Sequence, residues 1–291
     1  MNKVGSTSDI DDALTVTSEI YAETDFKCQD INDLKSVSTF TFHYPNDSGN
    51  NPCETDTDGD LIVRRRKKGE ITIEHHKRTD LSLVGLQVWR GALLLADYIF
   101  HNRNEFKEKR VLELGSGVGL TGIAAAIYSK DVVCTDIDVG GILNVIADNV
   151  KRNNSLIRNN VQIVELDFKA QKFSDRLESI ISDIDIVICA DVIYDDDLTD
   201  SFVETLTKLL EPKPNRSPPV HSPIYIALEK RYVFTVDDLE SLAPCYEHFL
   251  SCIDKIRWSK RWKFESIPID FPQYFEYERV KELVLLKLSV M

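Results

Sequence analysis

Val111-Leu112-Glu113-Leu114-Gly115-Ser116-Gly117-Val118-Gly119-Leu120-Thr121-Gly122 is the stretch that decides the fold. A short apolar run ends in a glycine-rich turn, and a segment rich in Ala and Ile, Leu120–Ser129, follows at once. Strand, glycine turn and helix start, in that order, make the first crevice of a doubly wound sheet. Glycine there permits positive φ and close approach of a ligand to the backbone, beside a helix N-terminus that favours anionic groups.

The flanking sequence continues the pattern. DVVCTDI (131–137), VQIVELD (161–167), DIDIVICA (183–190) and IYIALEK (224–230) read as buried strands. Residues 91–102, Ile142–Arg152 and Thr199–Leu210 place apolar residues at helical spacing between or before them. Strands alternating with helices imply right-handed parallel crossovers and a three-layer α/β sheet. WKFESIPI and ELVLLKLSV close the chain with no full helix between them, which predicts an antiparallel edge hairpin. Residues 237–253 read as a helix broken or kinked at Pro244. Upstream, the alternating run Ile71-Thr72-Ile73-Glu74 predicts a half-buried strand, with Gly69 suited to a hairpin turn.

The formal charge of −13 over 291 residues is unevenly spread. Residues 1–60 hold thirteen acidic residues against Lys3, Lys27 and Lys35, so the rest of the chain is nearly neutral. Weak periodicity and the turn-rich NDSGNNPCETDTDGD make residues 1–60 an expected acidic tail without independent order, with one domain over 61–291 including the hairpin. This balance argues against direct nucleic-acid binding. No run of about 18 apolar residues predicts a membrane span, and Asp97 interrupts the best one, Ala92 to Phe100. Six cysteines without a C-x-x-C pair, two of them inside apolar runs, predict a soluble, intracellular, reduced chain without a metal. The Arg64–Lys68 run reads as a solvated hairpin edge, with nuclear import as the functional alternative.

The ligand follows from what the glycine loop lacks. A dinucleotide fingerprint needs glycine five residues after the first, where Leu120 stands. Glu113 would repel a pyrophosphate and suits a cationic head such as the ammonium of a bound amino acid. Asp136, at the end of the second strand and 21 residues after Gly115, can accept hydrogen bonds from ribose hydroxyls. Ribose, a positive head and no pyrophosphate describe S-adenosylmethionine better than NAD.

Together these residues resemble the seven-β-strand methyltransferases, and within them the lysine methyltransferases of the methyltransferase-like 21/22 branch. The marks are Val88-Trp89-Arg90-Gly91, LELGSGVGL (112–120), CTD (134–136), ELDF (165–168), ADVIYDDDLTD (190–200), LEKR (228–231) and FPQYFEYER (271–279). The resemblance implies a Rossmann-like seven-stranded sheet with helices on both faces. It also implies that Trp89 packs near the cofactor, that Gly115, Ser116 and Gly117 line its methionine and ribose portion, and that Asp136 holds the ribose. Asp167 and Phe168 would flank adenine, with Phe168 standing where many relatives have Trp, and Ala190 would contact the cofactor. Asp191 and Tyr194, in the acid-x-x-Tyr motif, would orient the incoming lysine and wall its channel. A nucleic-acid amino-methyltransferase would carry prolines where Val192 and Ile193 stand. Asp195-Asp196-Asp197 reads first as a helix cap and second as an attractor for a basic substrate segment. Adjacent His75 and His76 would face opposite sides of a strand, which disfavours joint metal binding. The expectation is a protein-lysine N-methyltransferase of nucleus and cytoplasm, acting on a nucleic-acid-binding protein in company with chaperones. A small-molecule methyltransferase and a catalytically silent binding module are its rivals.

Overall fold

The computed structural model describes residues 15–23, 27–46, 58, 67–210, 222–235 and 240–291. Arg64, Arg65 and Arg66, most of the basic run, lie outside the described residues. The elements that position the site begin with three strands, β1 (Lys27–Asp30), β2 (Lys35–His43) and β3 (Lys68–His76), and the helix α1 (Arg90–His101). Then follow β4 (Arg110–Leu114), α2 (Leu120–Ala126), β5 (Asp131–Asp136), α3 (Ile142–Arg152) and β6 (Asn160–Glu165). Next are α4 (Asp175–Ile181), β7 (Ile186–Ala190), α5 (Asp196–Leu210) and β8 (Ile224–Glu229). The chain closes with α6 (Pro244–Lys260), β9 (Trp262–Ile267) and β10 (Leu283–Val290).

Seven strands form one sheet in the order β9-β10-β8-β7-β4-β5-β6. β6, β5, β4, β7 and β8 run parallel; β10 is antiparallel to both β8 and β9, as the terminal pattern predicts. The period-two alternation of β4 sorts its side chains onto two cores. Leu112 and Leu114 meet Leu177, Phe202, Leu206 and Phe249 of α4, α5 and α6 on one face. Val111 meets Leu94, Leu95 and Ile99 of α1 and Ala125 of α2 on the other. Leu81–His101 is apolar and long enough to cross a membrane by composition alone, but it is kinked at Leu83 and α1 is a core helix.

Three expectations need correction. Residues 15–46, placed in an unordered tail, are structured through much of their length. β1, β2 and β3 make an antiparallel sheet, and Ser36, Ser38, Phe40 and Phe42 of β2 are all buried. Serines occupy half of those inward positions, so the apolar alternation that betrays a strand is broken. Gly69 is not a turn residue: it lies within β3 opposite Phe42, and a Cβ there would sit 2.3 Å from the Phe42 ring. Pro244 does not kink α6 but starts it, where its missing N–H and fixed φ cost nothing.

The edge of this small sheet is closed by asparagines rather than by another strand. Asn149 on α3 and Asn153, the residue that caps its carboxyl end one turn later, each bridge a β3 residue. Glu74 N–H donates to Asn149 Oδ1 at 2.7 Å, and Thr72 N–H to Asn153 Oδ1 at 2.8 Å. The amide nitrogens return bonds to Glu74 O at 3.0 Å and Thr72 O at 2.7 Å. Asn149 also donates to Val118 O at 2.9 Å, tying the sheet edge to the glycine loop.

Residues 15–23 form a strap beside α1. Ile20 is fully buried, and the Tyr21 hydroxyl accepts from Val88 N–H at 2.8 Å. Tyr21 stacks on the inward-facing His75 with centroids 4.3 Å apart. Asp97 performs a comparable service for the closing FPQYFEYER block. Its Oδ1 accepts from Tyr274 N–H and Phe275 N–H at 2.7 and 2.9 Å, and its Oδ2 from Arg279 at 2.6 Å. The charge that breaks the apolar run of α1 therefore fastens the approach to β10.

Candidate active site

The carboxyl ends of β4, β5 and β7 open into a cleft of about 330 Å³. It lies where the strand order reverses, because β5 and β7 leave β4 on opposite sides. Trp89, Glu113, Gly115, Ser116, Gly117, Asp136, Asp167, Phe168, Ala190, Asp191 and Tyr194 all line this one cleft.

The loop from β4 to α2 is built on positive φ at Gly115 (63°), Gly117 (55°) and Gly119 (86°). At Gly115 the requirement is double, since a Cβ would also lie 2.6 Å from Val192 Cγ1. Gly122 marks another close approach: its Cβ would meet Glu113 Oε2 at 2.5 Å. Glu113 thus lies beneath the first turn of α2, 1% exposed, with Ser116, Cys134 and Thr121 as its polar neighbours. Ser116 Oγ is likewise buried. Burial raises the Glu113 carboxyl to about 7.

Asp136 ends β5. Gly117 N–H donates to its Oδ2 at 2.7 Å and Ile137 N–H to its Oδ1 at 2.8 Å, so the acid holds the glycine loop while facing the cleft. Desolvation pushes it up to about 6, although both backbone bonds favour the charged form. Ile137 and Val139, each 40% exposed, give the cleft an apolar rim beside it. On the facing wall Phe168 packs against Phe202 with centroids 5.3 Å apart. Asp167 folds its own Oδ1 onto Lys169 N–H at 2.9 Å.

Asp191 adopts φ 51°, an uncommon value for a residue with a side chain. Gly91 N–H donates to its Oδ2 at 2.6 Å and Glu229 N–H to its Oδ1 at 2.9 Å. One carboxylate therefore pins the start of α1 to the end of β8, and burial raises it to about 6. Tyr194 is half-buried, and desolvation followed by the charge of Asp136 pushes its phenol up to about 12. Asp195 caps α5, accepting from Leu198 N–H at 2.9 Å, while Asp196 and Asp197 stay exposed.

Arg90 and Arg231 complete the mouth. Arg90, 8% exposed, pairs with Glu23 of the strap at 2.9 Å and with Glu229 at 3.0 Å. Arg231 pairs with Glu19 at 3.1 Å, and its guanidinium lies 4.6 Å from the Trp89 ring centroid. Trp89 is fixed from its other end, Nε1 donating to Val84 O at 2.9 Å. Sequence reading found Trp89 but missed the wall before it, Leu83 to Val88, which lines the cleft. That segment is apolar without a period, so neither helix nor strand spacing marks it.

This cleft, behind a glycine loop in a seven-stranded sheet with an antiparallel edge, is that of a Rossmann-like transferase. The family model described as lysine methyltransferase matches residues 66–243, and the chain belongs to that family. It is 34% identical over 255 residues to methyltransferase-like protein 22 of Mus musculus, covering 81% of this chain and 63% of that one. The Homo sapiens protein of the same name is 34% identical over 236 residues, covering 75% of this chain and 57% of that one. Protein-lysine N-methyltransferase EEF2KMT of Mus musculus is 30% identical over 217 residues, covering 70% and 58%. The chain thus spans less than two thirds of the curated relatives it matches.

Proposed function

We propose that this protein is an S-adenosylmethionine-dependent protein-lysine N-methyltransferase. The observation that carries the cofactor reading is the Glu113 carboxyl, which lines the cleft behind the glycine loop, is buried, and has no cationic partner among the described residues. A buried carboxyl without a cationic partner is costly to charge, and a ligand cation offsets that cost. A cationic amino group answers Glu113, the remaining lone pairs of Asp136 answer ribose hydroxyls, and Ile137, Val139 and Phe168 offer apolar surface to a purine. S-adenosylmethionine supplies a methyl group activated on a sulfonium.

The chain's own residues would supply position. Tyr194 keeps its proton near neutral pH, so its phenol oxygen can accept a hydrogen bond from a neutral lysine amine and cannot serve as a base. Asp191 holds Gly91 and Glu229 in register, and with them Trp89 and the Arg90–Glu229 pair at the mouth. Its remaining acceptor capacity would orient the amine in line with the breaking bond, where positioning alone supplies much of the rate.

The acidic balance of the chain and exposed Asp196 and Asp197 support a basic protein segment as substrate, of the kind nucleic-acid-binding proteins carry. Residence in nucleus and cytoplasm belongs to the same proposal, with the basic Arg64–Lys68 run, read first as a solvated hairpin edge, as a candidate import segment.

The test is transfer of labelled methyl from S-adenosylmethionine into cell-extract proteins. Tyr194→Phe is a cleaner probe than Asp191→Ala, which would orphan two backbone N–H groups. One labelled protein band mapping to lysine is expected, roughly 10- to 100-fold slower with Tyr194→Phe and absent with Asp136→Ala. Label in small molecules only, or none despite bound cofactor, would overturn the reading.

A further inference from the structure

On the side of the sheet that carries α5 and α6, three chemically different side chains converge. His248 and Cys252 lie four residues apart on α6, so both project from one face toward α5. There they meet Asp200. His248 Nε2 lies 2.8 Å from Asp200 Oδ1, Cys252 Sγ lies 3.2 Å from the same oxygen, and Sγ and Nε2 are 3.5 Å apart. Each donor atom is thus within contact of the other two.

We infer that Asp200, His248 and Cys252 form a binding site for a zinc-class divalent cation, with water as the fourth ligand.

Tetrahedral zinc, with bonds of about 2.0 Å to oxygen and nitrogen and 2.3 Å to sulfur, separates such ligands by roughly 3.3–3.6 Å. The sulfur–nitrogen separation already matches, and the sulfur–oxygen one needs a few tenths of an ångström. Only the nitrogen–oxygen distance must open by about half an ångström, which a carboxylate rotation accomplishes. The donor set is selective: imidazole and thiolate favour zinc and its neighbours over calcium or magnesium, which take oxygen ligands. The Asp200 side chain is 59% exposed, which leaves room for entry and for a bound water.

Without a metal, the same Asp200 oxygen accepts from both His248 and Cys252, so the three groups already converge on one point. Binding is balanced: the cation takes the Cys252 sulfur as thiolate, the thiol proton leaves to solvent, and one carboxylate plus one thiolate neutralise the divalent charge. Exposed Asp196 and Asp197, in the first turn of α5, add to the local negative field.

The site would staple two helices whose ligands are 48 residues apart in sequence. α5 follows directly on Tyr194 and carries Leu198, which lines the cleft, so occupancy would fix one wall of the acceptor mouth. The sequence offered only half of this signal, the His248-x-x-x-Cys252 spacing, because Asp200 lies on another helix.

The experiment titrates full-length, chelator-treated protein with cobalt(II) and then zinc. One equivalent of cobalt with a thiolate-to-metal charge-transfer absorption, displaced by zinc, is expected, together with a zinc-dependent rise in Tm. Substituting an outer-shell partner weakens metal sites 10- to 100-fold, so losing a ligand should cost at least about that much. Cys252→Ser should abolish the charge-transfer band and His248→Ala should weaken binding, while Cys28→Ser, at an exposed thiol, leaves both unchanged. Melting in chelator checks that the variants fold. No thiolate band at stoichiometric cobalt, or a band that survives Cys252→Ser, would overturn the assignment.

Discussion

The cleft and the small amino-terminal sheet treat polar groups in opposite ways. Along the β3 edge the backbone groups are matched: Asn149 and Asn153 complete the strand, and Tyr21 takes Val88 N–H, while His43 Nδ1 of β2 and Ser18 Oγ of the strap are buried without a partner among the described residues. In the cleft, three carboxyls are pushed upward by burial, and Glu113 among them has no cationic partner among the described residues. Matched polar groups stabilise, whereas desolvated carboxyls lacking a cation cost stability and are kept here where a ligand can complete them. The comparison separates a part of the molecule that holds the fold from a part held ready by it.

If that division is right, substitutions on the matched side should cost stability with little effect on cofactor affinity. The largest loss is expected at Asp97, whose removal takes the ion-pair partner from half-buried Arg279 and leaves the Tyr274 and Phe275 N–H groups without their acceptor. Asp97→Ala should destabilise by about 3–5 kcal/mol in denaturant unfolding. Asn153→Ala removes both bridges to Thr72. A cost of roughly 2–4 kcal/mol follows, with the dissociation constant for S-adenosylmethionine changing by less than about twofold. Tyr21→Phe deletes one acceptor and should cost about 1–3 kcal/mol. A cofactor-affinity loss in Asn153→Ala as large as its stability loss would break the comparison.

The smallest expected effect is the response to pH, and it has opposite signs on the two quantities. Glu113, at about 7, and Asp136 and Asp191, at about 6, all lie above ordinary unfolded carboxyls. The native state therefore holds more protons than the unfolded state. The stability these groups contribute is fully present below the unfolded range and is lost as pH rises through about 6 to 7. Cofactor binding needs the charged forms and should weaken as pH falls through the same window. Melting with and without S-adenosylmethionine at about pH 5.5 and 8 reads both, and the ligand-induced Tm shift should be larger at the higher pH.

Legibility in the sequence followed the range of the interactions. β4, the glycine loop, α2 and α3 were readable because strand alternation, glycine placement and helical spacing act within a dozen residues, and residues 142–152 form a helix as their spacing predicts. Asp136 and Glu113 were readable from their offsets to Gly115. β2 was not, because Ser36 and Ser38 occupy inward positions that only the partner side chains make tolerable: Ser38 Oγ lies 2.8 Å from His75 Nε2. The strap was hidden for the same reason, since Glu19 and Glu23 read as tail acidity until Arg231 and Arg90 are placed beside them. Asp191 shows the limit within the site: its motif marks it, but its grip on Gly91 and Glu229 spans 100 and 38 residues.

The central claim is that the buried Glu113 carboxyl receives the cationic head of S-adenosylmethionine. Isothermal titration of S-adenosylmethionine at about pH 8 into wild type and Glu113→Gln tests it directly. Hydrogen bonds to charged groups contribute about 1.5–3 kcal/mol, so Glu113→Gln should bind about 10- to 100-fold more weakly while melting at the same temperature or higher without ligand. Equal affinity in the two proteins would contradict the account.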